Sequence, residues 1–323
     1  MRYLSGIQPS GVLHIGNYFG AIRQHIRSQD EHDSYYFIAD YHALTTVRDA
    51  EVLREHVLGV ALDYLALGLD PEKTTFFRHS EVPEVQELAW VLSTLTPMGL
   101  LERCHSYKDK TAKGIAPDHG LFAYPVLMAA DILMFQANKV PVGRDQIQHI
   151  EMARDMAGRF NHLYKGDFFT LPEAVVDERV QVLGGLDGRK MSKSYNNTIP
   201  LFVPEKKLLK LVRKIKTNSL EPGEPKDPGT CTLFQIYSAF ASAEETQAMR
   251  DDYAAGIGWG DAKNRVFEHL NEQLRAPRER YQALMEDPGH IETVLLQGAE
   301  RARAEAAPLM DRLRVAAGLG RFV

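Results

Sequence analysis

The chain has 323 residues, with 44% hydrophobic and 25% charged side chains, which fits an ordinary folded protein with ample core. Its two cysteines, Cys104 and Cys231, form no CxxC pair, so a disulfide framework and a zinc knuckle are both excluded as expectations. A net charge of -5 argues against a dedicated nucleic-acid binder, although a local basic patch would suffice for RNA.

No run of about 18 apolar residues is present, so no membrane span is expected. The N-terminus, MRYLSGIQPSG, shows no secretory or transit pattern, and the expected setting is a reducing cytoplasm.

In chain order, residues 2–5 predict a strand and 6–16 a loop punctuated by Pro9 and Gly11. A helix follows over about 17–26. Residues 34–39, SYYFIA, predict a strand covered on both faces, because every position is aromatic, small or apolar. Apolar residues recur at helical spacing over 50–67, with Asp49 as the starting cap and Gly68 as the stop. Thr74 to Phe77 predicts a third strand, and helices follow over 84–95 and 98–104. A basic loop carries Lys108, Lys110 and Lys113. An apolar helix spans about 121–136, a short strand 139–142, and a helix from Asp145 to about Leu163. Residues 179–183 predict the last strand. This alternation implies right-handed crossovers and a doubly wound parallel α/β sheet, Rossmann-like and nucleotide-binding. After Pro204 the periodicity is helical throughout, apart from a Pro/Gly-rich loop over 221–229. The expected division is a catalytic domain over 1–203 and an all-helical domain over 204–323.

Four segments carry chemistry. The first is GIQPSGVLHIGN, residues 6–17, between the first strand and the first helix. In doubly wound sheets nucleotides bind in that crevice, and a helix N-terminus offers free N–H groups to phosphate. His14 can donate to phosphate oxygens as charge develops. The second is Lys190-Met191-Ser192-Lys193-Ser194, after a glycine-rich turn. Two ammonium groups at i and i+3 can clamp a polyphosphate and neutralise a departing pyrophosphate, on a loop free to close.

The third is AYPVLMAADILMF, residues 123–135. Tyr124, Met128 and Asp131 share one helix face. A carboxylate among apolar residues needs a partner, and this helix carries no Lys or Arg nearby. An indole offers one N–H donor and no acceptor, which would suit it. A basic residue from another element, or exposure to solvent, would equally satisfy Asp131. The fourth is VGRDQIQH, residues 142–149, at another strand-to-helix turn, where Asp145 is also a natural helix cap.

The pairing of HIGN with KMSKS resembles class I aminoacyl-tRNA synthetases, and the longer stretch GIQPSGVLHIGNYFGA resembles the tryptophanyl branch. The resemblance covers essentially the whole chain. It implies ATP-dependent activation of L-tryptophan to the adenylate, followed by transfer to tRNA(Trp). It implies catalytic roles for His14, Asn17, Lys110, Lys190 and Lys193. ATP contacts would come from Gln8, Pro9, Ser10, Gly16 and Asn17, from Gly143, Arg144 and Asp145 at the ribose, and from Val182 on adenine. Lys190, Met191, Ser192, Lys193 and Ser194 would complete them. Tryptophan would meet Asp131 through its indole N–H. Leu4, Tyr124, Met128, Val140 and Val142 would form the walls, with His42 and Gln146 near the backbone groups of the amino acid. ATP would come with Mg²⁺ as the substrate complex, without a dedicated protein metal site. The lysine-rich stretch Lys206, Lys207, Lys210, Arg213, Lys214 and Lys216 would approach tRNA phosphates, and a homodimer is implied. The chain departs from the broader class in two places: Asn17 stands where the HIGH motif ends in His, and Tyr195-Asn196-Asn197 follow KMSKS where many relatives carry an acidic residue. Two alternatives remain at this point. One is a tyrosyl-tRNA synthetase; the other is a silent synthetase-like protein that binds RNA or tryptophan as a regulator.

Overall fold

The strand Asp33–Ile38 explains the architecture. Tyr35 and Phe37 belong to one buried cluster, Tyr36 and Ile38 to another, so successive side chains enter cores on opposite faces of a sheet. The computed structural model describes residues 1–104, 107–108, 118–176 and 182–320. It shows five parallel strands: β1 Arg2–Ile7, β2 Asp33–Ile38, β3 Thr74–Arg78, β4 Lys139–Pro141 and β5 Glu173–Val175. Their order is β3-β2-β1-β4-β5. The chain winds outward from β1 to β3, then returns to the other side of β1. Such a reversal opens a crevice at the carboxyl ends of the two central strands, here β1 and β4. β1 and β2 pair in register from Arg2 opposite Asp33 to Ile7 opposite Ile38, whereas β1 meets β4 only at Tyr3 opposite Lys139. The sheet is therefore loosest where the crevice lies.

The Rossmann-like parallel sheet matches the expectation, with local corrections. The fifth strand is Glu173–Val175, which was not predicted; of the predicted strand 179–183, residues 179–181 lie outside the described residues, and Val182 and Leu183 form no strand. The first helix starts at Ile15 rather than Asn17. It passes through a π-helical stretch, Tyr18–Ile22, before continuing as Arg23–Ser28. π segments inside helices are frequent at functional sites. The helix Ala50–Leu67 follows the prediction: the Asp49 side chain accepts from the Glu51 and Val52 amides, and Gly68 turns left-handed at φ 107°.

From Glu205 onward every regular element among the described residues is helical. Glu205–Lys214, Thr232–Phe240, Ala243–Ala254 and Trp259–Met285 pack around Leu208, Val212, Leu233, Ile236, Val266 and Leu270, all buried in the cluster that also holds Ile15 and Tyr36. The last helix, Pro288–Ala316, returns to lie on β3. A Cβ at Gly298 would overlap the Phe76 carbonyl oxygen, so this approach requires glycine. Arg303 pairs with Glu84 at 3.0 Å, and Arg314 with Glu87, tying that helix to Pro83–Ser93.

Candidate active site

The loop leaving β1 wraps from Gln8 to His14, and His14 starts the first helix. Its imidazole is buried and unpaired at Nδ1 among the described residues. Burial, with Lys193 nearby, pushes it down to about 4, so it is a neutral donor near pH 7. The strap that follows KMSKS is hydrogen-bonded to this turn: Ile15 N donates to Ile199 O at 3.0 Å, and Leu201 N to Leu13 O at 3.2 Å. These backbone bonds carry the two motifs to one place. Lys193 Nζ donates to Gly11 O at 2.8 Å.

Asn197 shapes the KMSKS turn. Its Oδ1 accepts from Ser192 N at 2.8 Å, and its Nδ2 donates to Asp187 Oδ1 at 2.7 Å and to Lys190 O at 3.1 Å. Sequence reasoning noted Asn197 only as a departure from relatives. It is a buried organiser that uses both ends of its amide. Asp63 was also missed. It is buried on the helix Ala50–Leu67, and burial pushes its carboxyl up to about 8 against the pull of Lys193.

Two cavities, of about 800 and about 730 Å³, line the crevice. The first gathers Ser10, His14, Gly16 and Asn17 from the first motif with Lys190, Met191, Ser192, Lys193, Ser194 and Val182. The second gathers Gly143, Arg144 and Asp145, and shares Val182 and Lys190 with the first. Gln8 lies instead in the lining of a neighbouring cavity, where its Nε2 donates to His42 O at 3.2 Å. Pro9 is buried and lines none of these cavities. Lys110 lies outside the described residues.

A third cavity, of about 440 Å³, sits beside them, with Ala21 common to all three. Leu4, Phe37, Val140 and Val142 wall it; Tyr124, Met128 and Asp131 project from the helix His119–Met134; His42 and Gln146 complete the lining. The expected amino-acid residues therefore converge on one volume. Asp131 is 2% exposed, and both of its oxygens are engaged. His42 Nε2 donates to Oδ2 at 2.8 Å, and His79 Nε2 lies 3.0 Å from Oδ1. Burial alone would raise Asp131 and lower His79. Facing each other outweighs it, holding Asp131 below the usual carboxylate value and His79 above the usual imidazole value. Asp131 thus has basic partners from other elements, the possibility left open by its sequence. His42 is fixed to that carboxylate. His79 was not foreseen; the only local signal was a histidine at a strand end, the same signal that His42 carries.

His42, His79 and Asp131 are also the group of described residues with a metal-binding donor set, their ligand atoms lying within 4.8 Å of one another. Two imidazoles and one buried carboxylate do not suit Mg²⁺, which prefers oxygen ligands and keeps several waters. The three groups already satisfy one another by hydrogen bonds. No helix of the described residues is long and apolar enough to cross a membrane.

Residues 1–275 match the family of class I tRNA synthetases for W and Y. The chain is 52% identical to the tryptophan–tRNA ligase of Pseudomonas aeruginosa over 98% of its own length and 74% of the relative's. It is 52% identical to that of Rhodopirellula baltica, over 99% of this chain and 100% of the relative. The tryptophanyl-tRNA synthetase of Campylobacter jejuni, solved with ADP and tryptophan, superposes with a TM-score of 0.92 at 49% identity, covering 99% of this chain and 100% of that one. Motifs, sheet topology and these relatives agree: the chain belongs to the tryptophanyl-tRNA synthetases, class I aminoacyl-tRNA ligases.

Proposed function

We propose that the chain joins tryptophan to ATP across the contact between the 440 Å³ cavity and the crevice, then passes the tryptophanyl group to tRNA(Trp). The observation that carries this reading is the shared wall: Ala21, Pro141, Val142 and Gly143 line both the amino-acid cavity and a nucleotide cavity. An indole seated against Asp131 leaves its α-carboxylate pointing toward the phosphates. The carboxylate oxygen attacks the α-phosphorus in line, the bond to the bridging oxygen breaks, and pyrophosphate leaves. The terminal ribose hydroxyl of the tRNA then attacks the adenylate carbonyl and AMP departs.

Each residue has a physical task in this scheme. His14, neutral, and Asn17 donate to phosphate oxygens. Lys190 and Lys193 offset charge on the departing pyrophosphate; Lys193 must first leave Gly11 O. Mg²⁺ enters with ATP as part of the substrate and neutralises phosphate charge. Gly143, Arg144 and Asp145 hold the ribose, with Val182 on the adenine. Gln146 meets the amino acid's polar end. Asp131 selects the indole over phenylalanine, which has no donor to offer its acceptor.

The same reading assigns tRNA to the helix Glu205–Lys214. Leu208 and Val212 are buried there, while Lys206, Lys207, Lys210, Arg213 and Lys214 face solvent. A homodimer is supported by an exposed apolar residue in a groove: Trp90 is 71% exposed and lines a groove of about 560 Å³ with Leu44, Ala89 and Leu127. Light scattering should give twice the chain mass; a monomer would remove this element. The overall reading is tested by charging a tRNA(Trp) transcript with labelled tryptophan. Charging supports it. Adenylate formation without charging would remove the tRNA assignment, and neither would reject the whole.

A further inference from the structure

Sequence reasoning singled out His42 and Asp131 in the amino-acid cavity, but not the residue behind them. His79 is 1% exposed and sits in the turn His79–Glu81 that follows β3. Its neighbour Ser80 locks that turn to the turn Asp40–Ala43: Asp40 Oδ1 accepts from Ser80 N at 3.0 Å, and Asp40 Oδ2 accepts from the Ser80 hydroxyl. The two turns that present His42 and His79 are therefore one rigid unit. Around the His79 ring stand Phe37, Tyr41 and His42 by ring contact and the Asp40 carboxylate through space. The Gln86 amide nitrogen lies 3.0 Å from Nε2, and because the N–H of that ring nitrogen is given to Asp131, the Gln86 amide must turn its oxygen rather than its NH₂ to it. Its Nδ1 has no hydrogen-bond partner among the described residues. The polar attachments of the ring thus converge on Nε2, which faces Asp131 Oδ1 at 3.0 Å.

We propose that His79 is a positioning residue for amino-acid selection: by occupying Oδ1 it holds the Asp131 carboxylate in one orientation, ready to accept an indole N–H. The inference rests on the reading of Asp131 as the indole acceptor. With His42 on Oδ2 and His79 on Oδ1, the carboxylate cannot rotate without breaking a charge-assisted hydrogen bond. An indole N–H meets a fixed acceptor, and no ordering of Asp131 is needed on binding. Without His79, one oxygen of a buried carboxylate loses its donor. Burial then favours the protonated acid, whose own O–H competes with the indole for an acceptor.

The test is ATP–pyrophosphate exchange by His79→Ala with two amino acids: tryptophan, and 3-benzothienylalanine, in which sulfur replaces the N–H. The expected result is a KM for tryptophan raised about tenfold, corresponding to one charge-assisted hydrogen bond. The kcat and the KM for ATP should stay near wild type, and the KM for benzothienylalanine should hardly change. The tryptophan KM of His79→Ala should also climb as pH falls below neutrality, more steeply than that of the wild-type enzyme. His79→Gln keeps a donor and should recover most of the loss, whereas His79→Leu fills the space without one and should not. That pair carries the test if His79→Ala does not fold. Equal weakening for both amino acids would show a merely structural role and overturn the proposal, as would no weakening for either. Asp131→Asn, run in parallel, separates the two levels. If it leaves the tryptophan KM unchanged, the indole reading itself fails. If it weakens tryptophan while His79→Ala does not, only the positioning role fails.

Discussion

Replacing Asp131 by Asn probes the amino-acid cavity with almost no change of shape. In the native site two donors already converge on the carboxylate, His42 at 2.8 Å and His79 at 3.0 Å, and in the proposed reading the indole N–H would be the third. A carboxylate has four lone-pair sites on two oxygens; a carboxamide has one accepting oxygen and an NH₂. At least one of the three donors must then face an N–H. A hydrogen bond to a charged group contributes about 1.5–3 kcal/mol, and leaving a buried donor unmet costs about 1–3 kcal/mol. His42 and His79 sit on different oxygens, so in Asp131→Asn one end of the group becomes an NH₂; if the indole meets that end, it loses its acceptor and kcat/KM for tryptophan falls by about 10- to 150-fold. Exchange kinetics with tryptophan as the varied substrate read this as a raised KM, with the KM for ATP nearly unchanged because Asp131 lines neither of the two crevice cavities. An unchanged tryptophan KM in Asp131→Asn would refute the assignment of Asp131 to the indole.

The remaining predictions concern the crevice and the frame around it. Lys190→Ala with Lys193→Ala should lower kcat for exchange by at least about a hundredfold while sparing tryptophan binding by calorimetry; equal loss of binding would contradict their role at pyrophosphate. Asp63 is buried with its carboxyl pushed up to about 8, above its unfolded value, so the folded state holds a proton that the unfolded state releases. Its contribution is therefore lost as pH rises from about 4 toward about 8, and Asp63→Asn should raise the Tm by an amount that grows across that window and is constant above it. A Tm difference independent of pH would count against the burial argument. Gly298→Ala should destabilise the protein by about 1–3 kcal/mol in urea unfolding, because the added methyl collides with the Phe76 carbonyl; a neutral effect would mean that the last helix is not seated on β3.

Features written locally in the chain were the legible ones. SYYFIA announces a doubly covered strand because every side chain must be buried, and Asp49 and Gly68 bracket a helix through groups that act within one turn of it. HIGN and KMSKS are legible for a different reason: each needs specific donors at fixed spacing, and their meeting follows from the crevice. What escaped is through-space or short. β5 is a three-residue edge strand with little apolar pattern, and the π stretch at Tyr18–Ile22 has no periodic signature. The pairing of His79 with Asp131 joins the turn after β3 to the last turn of a helix far along the chain, so neither residue's neighbours betray it. Asn197 looked like an unexplained departure because its value lies in three bonds to residues on both sides of the turn. Assignment of the eight residues around the 440 Å³ cavity came from family likeness more than from spacing, and the cavity collects all of them.

The most direct measurement is ATP–pyrophosphate exchange with tryptophan, tyrosine and phenylalanine offered separately to the wild-type chain. Exchange with tryptophan, and at most a trace with the other two, is the predicted result. Comparable exchange with tyrosine, or none with any of the three despite measurable binding of ATP, would contradict the account.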